Sequence, residues 1–275
     1  MTEFSRRQAM LGLSSLGLAS FGAASIGTRR ALAQPTGRET ELAPYPSAWL
    51  PDGVRSRFVN NINGLRVHVL EAGYETPDRP ALLLLHGFPE LAYSWRNVMV
   101  PLAEAGYHVF APDVRGYGRT TGWSSDYDAD LAPFRRLNKV RDALGLVLAF
   151  GHRSVAAVIG HDAGSPLAGW CAVTRPDLFP AVVMMSAPFG GTSTLPFDTA
   201  DDPPQAPAAR RQSIYDDLAG LPRTRKHYQR YYTTRGANEN MWHASQGIHD
   251  FIRGYYHFKS ADWEGNTPYR LAART

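Results

Sequence analysis

Apolar and polar positions follow the patterns of β-strands through the middle of the chain. Residues 58–60 and 65–70 alternate around Asn63-Gly64, a pair that favours a tight turn between antiparallel strands. Continuous apolar runs follow at residues 80–85, 107–111, 155–159 and 181–186. Runs of this kind are typical of parallel strands that are buried on both faces. The pattern predicts a hairpin followed by buried strands of a central sheet, with 181–186 as one more buried strand.

Helical spacing separates the apolar runs. Residues 95–105 are helix-like, and residues 138–150 place Val140, Leu144 and Val147 on one face. A third helix is expected to begin near Ser165, directly after the run at 155–159. Strands that alternate with helices predict an α/β fold with a parallel sheet and right-handed crossovers.

The chain changes character after residue 190. Residues 190–207 are rich in Gly, Pro and Asp and predict a connector. Helix-like segments follow at residues 209–218, 224–233 and 240–261. No apolar β-branched run of strand length occurs in residues 191–275. This part is therefore predicted to be helical.

The run at 155–159 leads into Gly-His-Asp-Ala-Gly at residues 160–164, a segment that we call the elbow. A strand that turns directly into a helix holds its corner residue at positive φ, and the flanking glycines let the backbones cross closely. The side chain of Asp162 is then expected to project from the top of the sheet. Its carboxylate is ionised at neutral pH and needs no base to act as a nucleophile. The alternative is that Asp162 only caps the helix.

Net charge gives no sign of a nucleic-acid partner. The 275 residues are 44% hydrophobic and carry a formal net charge of +4. Four arginines and one glutamate place three of these four charges in residues 1–33. The remainder is nearly neutral and shows no basic stripe, so we expect no nucleic-acid binding.

The first residues resemble a twin-arginine signal peptide. Arg6-Arg7 precede a mildly apolar, Gly- and Ala-rich run at 11–26, and Ala31-Leu32-Ala33 offers a cleavage site. The resemblance implies export by the twin-arginine machinery to the periplasm or the medium, without a stable membrane anchor. An amphipathic N-terminus is the alternative. Cys171 is the single cysteine, which excludes an internal disulfide and predicts a buried thiol.

Three motifs at strand ends carry a family resemblance. They are His-Gly-Phe-Pro at 86–89, Asp-Val-Arg-Gly-Tyr-Gly at 113–118 and the elbow at 160–164. In this order they resemble the epoxide hydrolase branch of the α/β-hydrolase family. The resemblance implies an α/β-hydrolase fold with a mostly parallel central sheet and a partial helical lid. Together with the signal peptide at 1–33 and a Pro-rich, polar N-terminal arm at 34–57, it divides the chain into a hydrolase core at 58–190 and a lid at 191–275.

The resemblance also implies roles for the motif residues. Asp162 is the expected nucleophile, which attacks a carbon of a small apolar epoxide and forms an alkyl ester. The backbone N–H groups of Phe88 and Ala163 form the expected oxyanion hole. His86 and Trp95 are placed at the substrate pocket, with His86 chiefly fixing its loop.

Lid tyrosines are the expected donors to the epoxide oxygen. Tyr228-Gln229 resembles the lid Tyr-Gln pair of soluble epoxide hydrolases, and Tyr232 is placed at the substrate pocket. The alternative is that Tyr228, Tyr231 and Tyr232 only form the packed face of a helix.

The family's catalytic histidine and its acid partner follow the lid, on loops after two further strands. The histidines after residue 190, His227, His243, His249 and His257, lie in helix-like segments, and none is predicted to be the base. We expect a C-terminally truncated form that lacks the last strands, exposes the apolar edge at 181–186 and accepts one epoxide without turnover.

Two other functions remain open. A dehalogenase of this family takes halide donors from the positions of Phe88 and Ala163, which here offer no side-chain donor. A non-catalytic ligand-binding homologue is the second alternative. A serine esterase is disfavoured because the elbow carries Asp162. Neither metal-ligand spacing nor a phosphate-binding loop occurs, so no metal or cofactor is expected.

Overall fold

Within residues 42–191 and 214–265, which the computed structural model describes, six strands form one mixed sheet in the order β1-β2-β4-β3-β5-β6. Their bounds are β1 (Val54–Ile62), β2 (Leu65–Ala72), β3 (Ala81–Leu85), β4 (His108–Pro112), β5 (Ala157–His161) and β6 (Val182–Met185). The pairs β1–β2 and β2–β4 are antiparallel. The pairs β4–β3, β3–β5 and β5–β6 are parallel. The predicted α/β-hydrolase fold, with a mostly parallel sheet, is confirmed.

The hairpin β1–β2 turns at Asn63 and Gly64, whose φ angles are 50° and 81°. Both residues lie in the left-handed region that a two-residue turn requires, so the turn prediction is confirmed. β1 begins at Val54, inside the segment predicted to be an arm. The predicted boundary at residue 57 is therefore too late, because the polar side chains of β1 obscure its start.

β3 lies at the centre of the sheet, between β4 and β5, and all five of its residues are buried. Leu83 and Leu85 pack on one face with helices α2 (Arg136–Ala149) and α3 (Gly164–Thr174). Leu82 and Leu84 pack on the other face with α1 (Arg96–Glu104). The apolar run is continuous because both faces of the strand are covered.

Cys171 lies in α3 within the core. Burial raises the pKa of its thiol to about 12. The thiol therefore stays protonated and the prediction of a buried core residue is confirmed.

β6 corrects one prediction. Its residues have exposed fractions from 36% at Val182 to 45% at Met184, so the strand is not buried. β6 pairs with β5 on one side and with no other strand among the described residues. An apolar run predicts that a strand forms but does not show which elements cover it. β6 lies at an edge of the described sheet. The exposed apolar edge that was expected at 181–186 is present.

Within residues 214–265 four helices follow the sheet: α4 (Ile214–Ala219), α5 (Tyr228–Tyr232), α6 (Ala237–Trp242) and α7 (Ile248–Lys259). The single segment predicted at 240–261 is wrong, since α6 and α7 are separate helices. Gly247 adopts a φ of 79° between them, which interrupts helical geometry. Residues 209–213 of the first predicted segment lie outside the described residues. In the described part of the chain, no helix has the length and apolar character needed to cross a bilayer.

The predicted signal peptide at 1–33 and the arm up to residue 41 lie outside the described residues. The described end of the arm packs on the hairpin. The Tyr45 N–H donates to Ser56 Oγ over 2.8 Å, and the Tyr45 ring meets the His68 ring edge-on at 5.1 Å.

Candidate active site

Asp162 occupies the corner between β5 and α3 with a φ of 50°. Its side chain makes no cap hydrogen bond to α3, whose N-cap residue is Ala163. The predicted strained corner is therefore present, and the alternative that Asp162 caps the helix is wrong. A left-handed conformation is costly for a residue other than glycine, so the surrounding structure must hold it.

The two glycines of the elbow are required by close backbone contacts. A Cβ added to Gly160 would lie 2.2 Å from the carbonyl oxygen of Gly164. A Cβ on Gly164 would lie 2.1 Å from the carbonyl oxygen of Leu85. Side chains at either position would push β3, β5 and α3 apart, so glycine is the residue that allows the corner.

The loop after β3 brings an amide to the carboxylate. The N–H of Phe88 donates to Asp162 Oδ1 over 2.9 Å. The approach is close because Gly87 has no side chain; a Cβ there would lie 2.5 Å from Asp162 Cβ. The N–H of Ala163 makes no hydrogen bond within the described residues. Both amides predicted for the oxyanion hole thus flank the corner.

His86 fixes the loop that carries Phe88. Its Nε2 accepts the N–H of Val114 at 3.1 Å, so Nδ1 carries the proton and donates to the Gly87 carbonyl oxygen at 2.8 Å. Burial lowers the pKa of His86, which favours this neutral form. These contacts support the predicted loop-ordering role, and His86 also lines a cavity beside the elbow.

Glu90 and His161 form a pair beside the corner that the sequence analysis missed. His161 Nδ1 lies 3.0 Å from Glu90 Oε2, and its Nε2 lies 3.2 Å from Ser186 Oγ. The pair joins the loop after β3 to the ends of β5 and β6. The available signal was an acid directly after the His-Gly-Phe-Pro motif and a histidine directly before Asp162.

Asp113 organises the loop after β4. Its carboxylate accepts the N–H groups of Ala92 and Arg119 at 2.9 Å and contacts His68 Nδ1 at 2.8 Å. Burial by itself raises the pKa of Asp113, but the His68 contact and the two amides outweigh it and hold the pKa below its ordinary value. The carboxylate is therefore a buried, ionised anchor for the loops.

Arg115 ties the same loop to α2 and to the hairpin. Its guanidinium binds both carboxylate oxygens of Asp142, at 2.7 and 2.8 Å, and donates to the carbonyl oxygen of Asn63 at 3.1 Å. A two-point contact of this kind fixes orientation as well as distance. The motif at 113–118 thus orders loops at the top of the sheet.

Comparison with known proteins identifies the family of this fold. Residues 80–250 match the family model described as the alpha/beta hydrolase fold. The chain belongs to the α/β hydrolase fold family.

Curated relatives of this α/β hydrolase include epoxide hydrolases. It is 42% identical over 137 residues to the AB hydrolase superfamily protein YfhM of Bacillus subtilis, covering 50% of this chain and 45% of that protein. It is 38% identical over 177 residues to epoxide hydrolase B of Mycobacterium tuberculosis, covering 64% of this chain and 46% of that protein. The chain spans about half the length of the curated relatives it matches.

Solved structures give the same assignment of the fold. An epoxide hydrolase from an endophytic Streptomyces is 33% identical, with a TM-score of 0.56 over 75% of this chain and 53% of that chain. Potato (Solanum tuberosum) epoxide hydrolase I is 30% identical, with a TM-score of 0.55 over 74% of this chain and 56% of that chain.

Helix α5 of the α/β hydrolase contacts the loop after β3 through Tyr232. The ring of Tyr232 lies 5.1 Å from the ring of Phe88, and the ring of Tyr228 meets Tyr232 edge-on at 5.8 Å. Tyr228 is 42% exposed. The structure thus brings Tyr232 against the loop that carries Phe88 and places Tyr228 beside Tyr232.

Trp95, predicted to line the substrate pocket, packs instead in the core on the α1 side of the sheet. It is 8% exposed, and its buried indole N–H has no hydrogen-bond partner among the described residues. It does not line the cavity beside the elbow. The pattern at 95–105 placed a helix correctly but left open which side of the sheet the tryptophan faces.

Two further phenols lie within electrostatic range of site carboxylates. Burial and the charge of Asp162 raise the pKa of Tyr117, and burial and the charge of Glu90 raise the pKa of Tyr256. Tyr117 belongs to the motif at 113–118, and Tyr256 lies in α7. Among residues 42–191 and 214–265, no group of three or more His, Cys, Asp or Glu residues is arranged to hold a metal ion.

Proposed function

We propose that this chain is an epoxide hydrolase-like hydrolase in which Asp162 opens an epoxide ring and forms a covalent alkyl ester. The observation that carries the proposal is a carboxylate held at a strained corner, with one oxygen bound by the Phe88 N–H at 2.9 Å. Relatives named as epoxide hydrolases support the substrate class.

The hydrogen bond assigns the two carboxylate oxygens. Oδ1 accepts from Phe88, which leaves Oδ2 as the attacking atom. A bond forms between Oδ2 and an epoxide carbon, the ring C–O bond breaks, and its electron pair stays on the epoxide oxygen. Oδ1 becomes the carbonyl oxygen of the ester. When water later attacks that carbonyl, negative charge develops on Oδ1, where the Phe88 amide already donates.

The epoxide oxygen needs a proton donor as the ring opens. We place Tyr228 in this role, supported by Tyr232, which lies between Tyr228 and Phe88. Burial raises the pKa of Tyr232 above its ordinary value of 10, so its phenol stays protonated at neutral pH and can donate a hydrogen bond. A phenol matches an alkoxide leaving oxygen better than a departing halide, which favours the epoxide over the haloalkane.

Hydrolysis of the ester is proposed to be the slow step. The lid histidines that form ion pairs do so with acids of their own helices, His243 with Glu239 and His249 with Asp250. The side chains of these two histidines are 70% and 86% exposed, so neither is held for proton transfer at an ester of Asp162.

Intact-mass analysis after incubation with styrene oxide tests the proposal. One covalent adduct is expected on the chain and none on Asp162→Asn, while Asp52→Asn, which removes an exposed carboxylate, forms the adduct. Absence of both adduct and diol would overturn the proposed function. Halide release from a haloalkane panel in place of epoxide adducts would favour a dehalogenase. Steady diol release would show that hydrolysis of the ester is not slow. His161 and Glu90 would then be the residues to test for proton transfer to water.

Export is part of the same proposal. Residues 1–33 are proposed to direct the folded chain through the twin-arginine route to the periplasm or the medium. Expression in bacteria with and without that route tests it. Cleavage after Ala33 in the first strain alone is the expected result, and equal processing in both strains would contradict it.

A further inference from the structure

A cavity of about 320 Å³ adjoins the elbow and has no role in the steps described so far. Ala163 and Gly164 form one wall, Tyr117 another, and Arg136 and Lys139 of α2 a third. We call it the elbow cavity. It therefore lies beside the residue that follows the proposed nucleophile, and its cationic side chains come from a neighbouring helix.

Lys139 has no anionic partner in the described part of the chain. The carboxylate that acts on its pKa is Asp142, and both oxygens of Asp142 are already bound by Arg115. Asn63 Nδ2 also donates to Asp142 Oδ1, at 2.7 Å. Asp142 is thus neutralised by other groups, and the Lys139 ammonium is left without a hydrogen bond or ion pair.

Backbone dipoles add to this positive charge. α2 begins at Arg136 and has no acidic residue in its first turn, and α3 begins at Gly164. Both helices therefore direct their positive ends toward the elbow cavity. Two cations in the first turn of a helix are unfavourable for that helix on its own. Their position is explained if an anion occupies the space between them and α3.

The electrostatic surroundings of Lys139 favour an anion beside it. Burial lowers its pKa, the charge of Asp142 opposes the change, and the charge of Arg115 adds to it. A bound anion would supply the missing counter-charge to the partly desolvated ammonium.

We propose that the elbow cavity binds the carboxylate of the substrate, so that the preferred substrates are epoxides that carry a carboxylate group. This inference rests on the proposed function of Asp162. A cavity of about 150 Å³ suffices for benzene in other proteins, so 320 Å³ admits a carboxylate on a short alkyl or aryl group. Half-buried Lys139 supplies one positive charge and exposed Arg136 another at the rim, while Asp162 attacks the epoxide carbon.

A matched pair of substrates tests this specificity. The probes are a terminal epoxy-alkanoate and the primary amide of the same acid, with adduct formation at Asp162 followed by intact mass. The acid is expected to react faster than the amide, and Lys139→Gln is expected to lower the acid-to-amide rate ratio by about tenfold or more. Lys139→Arg keeps the charge and is expected to retain the ratio. Arg153→Gln removes an exposed charge and is expected to leave it unchanged.

A binding measurement separates this inference from the proposed function. Calorimetry with phenylacetate, which cannot alkylate, is expected to show binding to Asp162→Asn and about tenfold weaker binding to Asp162→Asn combined with Lys139→Gln. Phenylacetate binding that needs Lys139, without any epoxide adduct, would overturn the proposed function but support the anion site. Adducts with equal acid and amide rates in the unmodified chain would support Asp162 as the nucleophile and overturn the anion site.

Discussion

The side chain of Glu90 contacts the imidazole of His161 over 3.0 Å, although the two residues are 71 positions apart in the chain. Glu90 follows Phe88 in the loop after β3, and His161 precedes Asp162 at the end of β5. The contact therefore joins the segment that carries the amide donor to the segment that carries the carboxylate. It fixes their separation independently of the hydrogen bond between Phe88 and Asp162.

Glu90→Ala is expected to slow adduct formation by about tenfold or more, because small displacements of reacting groups have large effects on rate. The Phe88 amide would no longer be held at its 2.9 Å distance from Asp162. The measurement is the rate of adduct formation with styrene oxide. Asp177→Asn, which removes an exposed pair with Arg175, serves as control and should leave the rate unchanged. Equal rates for Glu90→Ala and the control would contradict the linking role.

Tyr228→Phe is expected to lower the rate of ring opening by about a hundredfold, the lower range for loss of a general acid. Tyr232→Phe should have a smaller effect, through its contact with Phe88. Tyr231→Phe controls for loss of a phenol from the same helix. A larger loss for Tyr232→Phe than for Tyr228→Phe would transfer the donor role to Tyr232.

Gly160→Ala is expected to lower the free energy of unfolding by about 1–3 kcal/mol or more, as overpacking in a close-packed site does. The new Cβ would lie 2.2 Å from the carbonyl oxygen of Gly164. Gly254→Ala in α7 is the matched control, because no atom lies within 4 Å of its added Cβ. Denaturant unfolding of the two variants measures the difference. Equal stabilities would show that the backbones at the elbow separate without cost.

Stability is expected to fall on acidification. Burial lowers the pKa of His86 from its ordinary 6.5, so protonation favours the unfolded chain as the pH falls below that value. Burial raises the pKa of Glu71, but contacts with His108, Arg55 and Arg57 outweigh it, and the folded pKa lies below 4.5. The stability that Glu71 contributes is therefore present above 4.5 and is lost as the pH falls through its folded pKa.

Denaturant unfolding from neutral to acid pH measures this trend. Glu71→Gln, which removes the titrating group, should show a shallower decline at the acid end than the unmodified chain. A rise in stability between neutral and mildly acid pH would contradict the analysis.

β6 is expected to promote association of the chain. Its exposed apolar residues lie on a strand with one open edge among the described strands, a feature that favours edge-to-edge pairing. Val183→Lys places a charge on this edge and should reduce the apparent mass at high protein concentration. Sedimentation velocity measures the change, with Leu148→Lys on exposed α2 surface as control. An equal reduction in both variants would assign association to another surface.

Local patterns predicted the features that depend on neighbouring residues. Asn63-Gly64 predicted the hairpin turn, and glycines on both sides of Asp162 predicted the corner, because backbone conformation is set by residues close in sequence. The apolar pattern of β6 by itself predicted a buried strand and not an exposed one, since a strand's burial depends on which elements cover it. The pattern at 138–150 predicted α2. It could not show that Asp142 forms an ion pair with Arg115 and not with Lys139.

The residues of the elbow separate two functions, formation of the turn and display of a reactive side chain. Gly160 and Gly164 allow the backbones to approach closely, while Asp162 at the corner supplies the carboxylate. Construction of the turn is thus independent of the reactive group that it displays. In an architecture of this kind the corner residue can be replaced while the glycines that form the turn stay the same.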